Sequence, residues 1–163
     1  MLEQDPQGVL FVCLGNICRS PTVEAVARAE FARAGLDVPV ASCGTGDWHV
    51  GQGADRRALR AGQAAGYDLS SHRARQLEVA DFSRYGLILG MDSSNMADLY
   101  RACPEVLRAR VGLFLDVTAA APPSDLPDPY NGTDEDFAYV VTLARRGVQG
   151  LIELLETRTK PEP

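Results

Sequence analysis

At 163 residues, with 45% hydrophobic and 23% charged side chains, the chain reads as one soluble globular domain spanning 1–163, with 1–8 and 158–163 as loose termini. That length buries about two thirds of the surface an unfolded chain exposes. The formal charge of −6, with no basic stripe, argues against nucleic acid as a partner. No apolar run approaches the ~18 residues of a membrane helix and no charged-then-apolar leader is evident, so neither membrane insertion nor secretion is expected. The four cysteines lack paired short spacings and read as free thiols in a reducing compartment, which points to the cytoplasm.

In chain order, residues 9–12 form an unbroken apolar run, expected as a strand buried on both faces. A short loop follows, and Ser20-Pro21 reads as a helix start, with a hydroxyl at the N-cap and proline at the first helical position. That helix is expected to run to about Ala34, with Val23, Ala27, Phe31 and Ala34 on one face and Gly35 as its stop. Residues 38–42 read as a second strand. The loop over 44–53 holds four glycines and the single tryptophan, Trp48. Residues 54–65 read as a second helix with Leu59 inward and Gly66 ending it. Residues 86–91 are the third buried strand, and Asp92, Ser93 and Ser94 are N-cap candidates for a helix through Tyr100 that Cys103-Pro104 breaks.

Residues 110–115 supply a fourth strand, and the segment 116–133, with four prolines, reads as a long loop. Thr133 and Asp136 form a capping pair for a last helix, in which Phe137, Val140, Val141, Ala144, Val148, Leu151, Ile152 and Leu155 keep a 3.6-residue period. The tail after Thr157 is expected to fray. Strands alternating with helices imply a three-layer α/β fold: a parallel sheet with right-handed crossovers and helices on both faces. Ligands in such sheets bind beyond the carboxyl ends of the strands, where Cys13 falls.

The loop between the first strand and helix begins with Cys13 and ends with Arg19. A strand-loop-helix junction gathers backbone N–H groups and the positive end of the helix dipole, which favours an anion. Arg19 adds a fork of donors matched to two phosphate oxygens. A thiol at a helix N-terminus or beside cations ionises well below the free value of about 8.5, and the thiolate is the nucleophile. The pattern is therefore that of a thiolate attacking phosphorus. It is not the nucleotide-binding P-loop, because no Gly-Lys-Ser/Thr follows. Expelling a poor leaving group from phosphorus needs a proton donor, and Asp125, Asp128, Asp134, Glu135 and Asp136 are candidates. The last three fall in a helix first turn, where acids are expected on dipole grounds alone, whereas Asp128 is held between Pro127 and Pro129. Cys18 lies five residues after Cys13 in a loop that must curl round an anion, so the two sulfurs are expected to be neighbours, and a sulfenic acid on Cys13 would be trapped as a disulfide.

The run C-L-G-N-I-C-R-S-P closely resembles the phosphate-binding loop of the low-molecular-weight protein tyrosine phosphatases. The likeness continues through S-C-G-T-G-D-W-H-V-G from Ser42, S-H-R-A-R-Q-L from Ser71, G-M-D-S-S-N from Gly90 and D-P-Y from Asp128. It implies a four-stranded parallel sheet of flavodoxin-like, Rossmann-like layout, and no cofactor or metal; His49 and His72 show no metal-ligand spacing. It implies Cys13 as nucleophile, Arg19 as phosphate and transition-state ligand, and the amides of Leu14, Gly15, Asn16, Ile17 and Cys18 as a cradle for the phosphoryl oxygens. Ser20 would donate to the thiolate, Asp128 would be general acid and then base, and Trp48 and Tyr130 would sandwich the phenyl ring. Asn16, Ser42 and His72 match the family's buried network that holds the loop in shape, and Cys18 its second loop cysteine. The implied partners are phosphotyrosine proteins or peptides, with inorganic phosphate or other oxyanions as product or inhibitor.

Two departures stand out: Asn131 replaces a second tyrosine common after Asp-Pro-Tyr, and Thr22 replaces a commonly apolar residue. The rivals are a protein-arginine phosphatase, against which Ile17 stands where those enzymes carry threonine; an arsenate reductase, which needs a relay of further cysteines; and a non-catalytic anion-binding module.

Overall fold

A computed structural model describes residues 8–118 and 123–159. In chain order the elements are β1 (Val9–Cys13), α1 (Arg19–Ala34), β2 (Val40–Gly44), α2 (Arg56–Ala64), α3 (Asp81–Arg84), β3 (Leu87–Gly90), α4 (Ser93–Ala102), a 3₁₀ turn (Glu105–Arg110), β4 (Val111–Leu113), α5 (Phe114–Val117) and α6 (Asp134–Thr159). The four strands are parallel in the order β2-β1-β3-β4. Every residue of β1 is buried, as its unbroken apolar run requires for a strand with neighbours on both edges. Alternation along it divides the core. Val9, Phe11 and Cys13 join the cluster formed with α1 and α6, while Leu10 and Val12 join Phe82, Ile88 and Leu99 on the other side. Because β1 pairs with β2 on one side and β3 on the other, the strand order reverses beside it, and the crevice at that switch point opens over Cys13.

The last helix keeps its expected period: Phe137, Val140, Val141, Ala144, Val148, Leu151, Ile152 and Leu155 are all buried. Its entry is a reciprocal cap, with the Thr133 amide donating to Asp136 Oδ2 (2.8 Å) and the Asp136 amide to Thr133 Oγ1 (3.4 Å). Gly35 ends α1 in the left-handed region at φ 72°, where a Cβ would be strained.

Other boundaries differ from expectation. β2 starts two residues later than the apolar pattern suggests and takes in Cys43 and Gly44, and α2 starts at Arg56 because the Asp55 side chain caps it through the Arg57 amide. In α2 the fully buried residues are Ala58 and Gly62, with Leu59 only half covered. In α1 the last turn leaves the core, so Ala34 is exposed and Val26 is buried with Val23 and Ala27. The expected fourth strand stops at Leu113, and Phe114 and Leu115 turn into α5 with both side chains buried. β4 is an edge strand paired only through residues 111–113. Apolar periodicity does not distinguish such a short strand from the helical turn that follows it. The expected long loop 116–133 thus has its first two residues in α5, and its residues 119–122 lie outside the described residues. Of the termini expected to be loose, 1–7 and 160–163 lie outside the described residues, while Arg158 is still within α6.

Gly44, at the end of β2, lies against the β1–α1 loop. A Cβ there would sit 2.7 Å from the Leu14 carbonyl oxygen and 3.1 Å from the Gly15 carbonyl carbon, both backbone atoms. Gly44→Ala is expected to cost about 1–3 kcal/mol through overpacking, lowering Tm by roughly 2–4 °C for each kcal/mol in a chain of this size. Calorimetry on the two proteins checks it, and an unchanged Tm would show that the loop can lift without cost.

Candidate active site

The β1–α1 loop is tied down by one residue. Among the described residues Asn16 is the one non-glycine residue with positive φ, at 58°, a conformation asparagine tolerates better than most. Its Nδ2 donates to Ser20 Oγ (2.9 Å) and Ser42 Oγ (3.0 Å), and its Oδ1 accepts from the Arg75 amide (3.0 Å). Its carbonyl oxygen meets His72 Nε2 at 2.6 Å, and its own amide donates to Cys13 Sγ at 3.3 Å. Ser42 passes the chain on by donating to Glu24 Oε1 at 2.6 Å. The network expected from Asn16, Ser42 and His72 is thus assembled, with Glu24 as a member that the sequence did not single out.

Ser20 does not cap the helix. α1 begins two residues earlier than expected, at Arg19, and Cys18 occupies the N-cap with no side-chain hydrogen bond. The Ser20 hydroxyl instead stands 2.9 Å from Cys13 Sγ, with Asn16 Nδ2 filling one of its lone pairs. A hydroxyl that faces the thiol is not available to the helix amides. Cys13 therefore has two hydrogen-bonding neighbours at its sulfur, Ser20 Oγ and the Asn16 amide, and both stabilise negative charge there.

Arg19 is 3% exposed, and its guanidinium is oriented from the far side. Nη1 donates to Asp92 Oδ2 at 2.6 Å and to the Leu126 carbonyl at 3.1 Å. The same carboxylate caps α4 by accepting from the Asn95 amide (2.8 Å), while Asn95 Oδ1 accepts from the amides of Asp92 and Met91. Sequence reasoning saw in Asp92 only an N-cap; spacing along the chain carries no sign of a partner 73 residues away. Asp128 Oδ2 lies 3.8 Å from Arg19 Nη2 with its side chain half exposed, and Oδ1 accepts from the Tyr130 amide at 3.1 Å. Of the other candidate acids, Asp125 accepts from the Ser93 hydroxyl, Asp136 is spent on the helix cap and Asp134 pairs with Arg60.

These side chains surround a cleft of about 210 Å³ lined by Cys13, Leu14, Gly15, Ile17, Cys18, Arg19, Trp48, His49, Asp128 and Tyr130. Trp48 and Tyr130 are exposed at its mouth. Tyr130 is steadied by Arg57, whose guanidinium lies 5.6 Å from its ring centroid and 4.5 Å from that of Phe137, and which also pairs with Asp55. His49 lines the cleft without having been anticipated; a lone histidine in a glycine-rich loop gives no signal of this. Ser42 and His72 lie outside the cleft and act on it through Asn16. Among the described residues, no group of three or more His, Cys, Asp or Glu side chains could hold a metal ion.

Burial pushes the Cys18 thiol up to about 12, helped by the negative charges of Asp55, Cys13 and Asp128 and opposed by Arg57. Cys18 is therefore neutral at physiological pH. Because its folded pKa lies above the value in the unfolded chain, its contribution to stability is complete below the unfolded pKa and is lost as pH rises toward 12. Burial raises Cys43 in the same direction. The urea midpoint should fall between pH 8 and pH 11, and the fall should be smaller in Cys18→Ala. Equal falls in both proteins would assign the alkaline loss to other groups.

The arrangement has close counterparts. Residues 8–160 match the family model described as low molecular weight phosphotyrosine protein phosphatase. A low molecular weight phosphotyrosine protein phosphatase of Schizosaccharomyces pombe is 44% identical over 132 residues, 79% of this chain and 84% of that one. A low molecular weight protein-tyrosine-phosphatase of Streptomyces coelicolor is 39% identical over 149 residues, 88% and 90% of the two chains. The crystal structure of a protein tyrosine phosphatase from Entamoeba histolytica, with Hepes in its active site, superposes with a TM-score of 0.89 at 34% identity, covering 94% of this chain and 99% of that one. With the family model matching nearly the whole chain and relatives of 34–44% identity covering most of it, the chain belongs to the low molecular weight phosphotyrosine protein phosphatase family.

Proposed function

We propose that this cleft hydrolyses phosphotyrosine monoesters through a cysteinyl-phosphate intermediate. The observation that carries the reading is the convergence on one cleft of Cys13, Arg19 and Asp128, with Ser20 and the Asn16 amide at the Cys13 sulfur. The phosphoryl group sits over Cys13, held by the amides of Leu14, Gly15, Ile17 and Cys18 and by the Arg19 fork, while the Asn16 amide stays on the sulfur and the phenyl ring lies between Trp48 and Tyr130. The Cys13 thiolate attacks phosphorus in line, the P–O bond to the ring breaks, and Asp128 gives its proton to the departing phenolate oxygen. Asp128, now a carboxylate, takes a proton from water as that water attacks the cysteinyl phosphate. The S–P bond breaks, phosphate leaves and the thiolate returns, its charge met by the Ser20 hydroxyl. Asp92 and the Leu126 carbonyl serve Arg19 by fixing its plane before substrate arrives.

The same geometry weighs against the rivals. Ile17 gives the cleft an apolar wall that suits an aromatic ring rather than a guanidinium. A relay of cysteines for arsenate reduction finds no support, since Cys43 and Cys103 both belong to the cluster on the opposite face of the sheet from Cys13. A passive anion-binding module has no use for Asp128. The free state of all four cysteines supports a reducing, cytoplasmic location, and no helix among the described residues is long and apolar enough to cross a membrane.

Cys13→Ser is expected to abolish turnover of aryl phosphates while leaving vanadate or phosphate binding largely intact; residual turnover above a trace would remove Cys13 from the nucleophile's role. Asp128→Ala should slow phosphotyrosine hydrolysis about 10²–10⁴-fold, and less for esters with better leaving groups, as a plot of rate against leaving-group pKa would reveal. An equal loss across leaving groups would make Asp128 structural. Under peroxide, the Cys13 sulfenic acid is expected to be captured by Cys18, losing water as the disulfide forms, and dithiothreitol should restore activity. Mass spectrometry of the loop peptide from wild type and Cys18→Ala decides it, and equal recovery of both without an intraloop disulfide would reject the capture.

A further inference from the structure

Next to the cleft lies a second hollow of about 350 Å³, lined by Leu14, Thr45, Gly46, Trp48, Leu77, Asp98 and Ala102. Leu14 and Trp48 line both spaces. A peptide leaving the cleft over these two side chains passes directly into the hollow.

Two features describe what would fill it. Its walls are largely apolar, and two of them, Leu14 at 44% and Trp48 at 67% exposure, are left uncovered. One acid lines the hollow: Asp98 of α4, whose ion partner is the largely exposed Arg101 at 3.5 Å.

We infer that the hollow is a subsite for a lysine or arginine side chain adjacent to the phosphotyrosine of the substrate. The inference rests on the reading of the cleft given above. The methylene stem covers Leu14, Leu77 and Ala102. The cationic head reaches Asp98 and the Trp48 ring. An aliphatic side chain would suit the walls but leave Asp98 with only the exposed Arg101 for a partner. An acidic one would bring its charge against Asp98 in a chain that already carries a net −6.

The test uses three phosphotyrosine peptides that differ only in the residue flanking the phosphotyrosine (Lys, Leu or Glu), with the variation placed on the N-terminal side and then on the C-terminal side. Wild type should prefer Lys over Glu by about five- to tenfold in kcat/KM on one of the two sides, mainly through KM. Asp98→Lys should erase or reverse the order. Ala102→Trp, at an exposed position on α4, should fill the hollow and flatten it. Both variants should turn over p-nitrophenyl phosphate, which has no flanking residue, at the wild-type rate. A flat response in wild type, or a preference that survives both substitutions, overturns the subsite and leaves the cleft's chemistry standing. Wild type that cleaves p-nitrophenyl phosphate but no phosphotyrosine peptide overturns the reading of the cleft and the subsite with it.

Discussion

The left-handed turn at Asn16 and the hydrogen bonds that enforce it are what the rest of the site depends on. A five-residue loop between a buried strand and a helix has many ways to run. This one is held because the Asn16 side chain ties it to Ser20, Ser42 and the backbone at Arg75, and its carbonyl meets His72. These partners come from α1, β2 and the segment ahead of α3, so the loop is clamped from three directions. Buried polar groups that are fully paired rigidify their surroundings, whereas a half-paired set is costly. The payoff is placement: the Asn16 amide and the Ser20 hydroxyl both end at the Cys13 sulfur.

The second constraint is electrostatic. Arg19 is buried almost completely, and a guanidinium in that position is stable only if its charge and donors are met. Asp92 and the Leu126 carbonyl meet them on one side, and removing one partner of such a buried pair typically costs about 3–5 kcal/mol. The contact with Asp128 is of a different kind. At 3.8 Å, with the carboxylate half exposed, it contributes little to stability. One acid thus orients the arginine from behind, while the other lines the cleft with its side chain half exposed.

Much of this was legible in the sequence because the signals are local. The apolar run of β1, the 3.6-residue period of α6, the Thr133–Asp136 cap and the Gly35 stop each depend on neighbours a few residues away, and each has its expected place in the structure. Ser20 shows where local logic misleads. Ser-Pro is a sound helix entrance by propensity, yet its hydroxyl is drawn to a sulfur seven residues earlier in the chain and the helix starts at Arg19 without it. Leu113 to Leu115 show the same at an edge strand: with only three residues paired to β3, tertiary packing of Phe114 turns the chain into a helix.

By itself the sequence determined the order of the four strands and the four longer helices, the parallel α/β class and the residues that could carry the chemistry, since hydrophobic period and motif spacing are written along the chain, whereas the short helices α3 and α5 left no such signal. Only the tertiary structure decided which groups meet. That Asp92 rather than Asp128 is the close partner of Arg19, that Glu24 extends the network through Ser42, and that Arg57 stacks on Tyr130 are contacts between segments far apart in sequence. The physical reason is that ion pairs, buried hydrogen bonds and ring contacts depend on distances of a few ångströms fixed by the packing of the sheet and helices, and no periodicity in the chain records them.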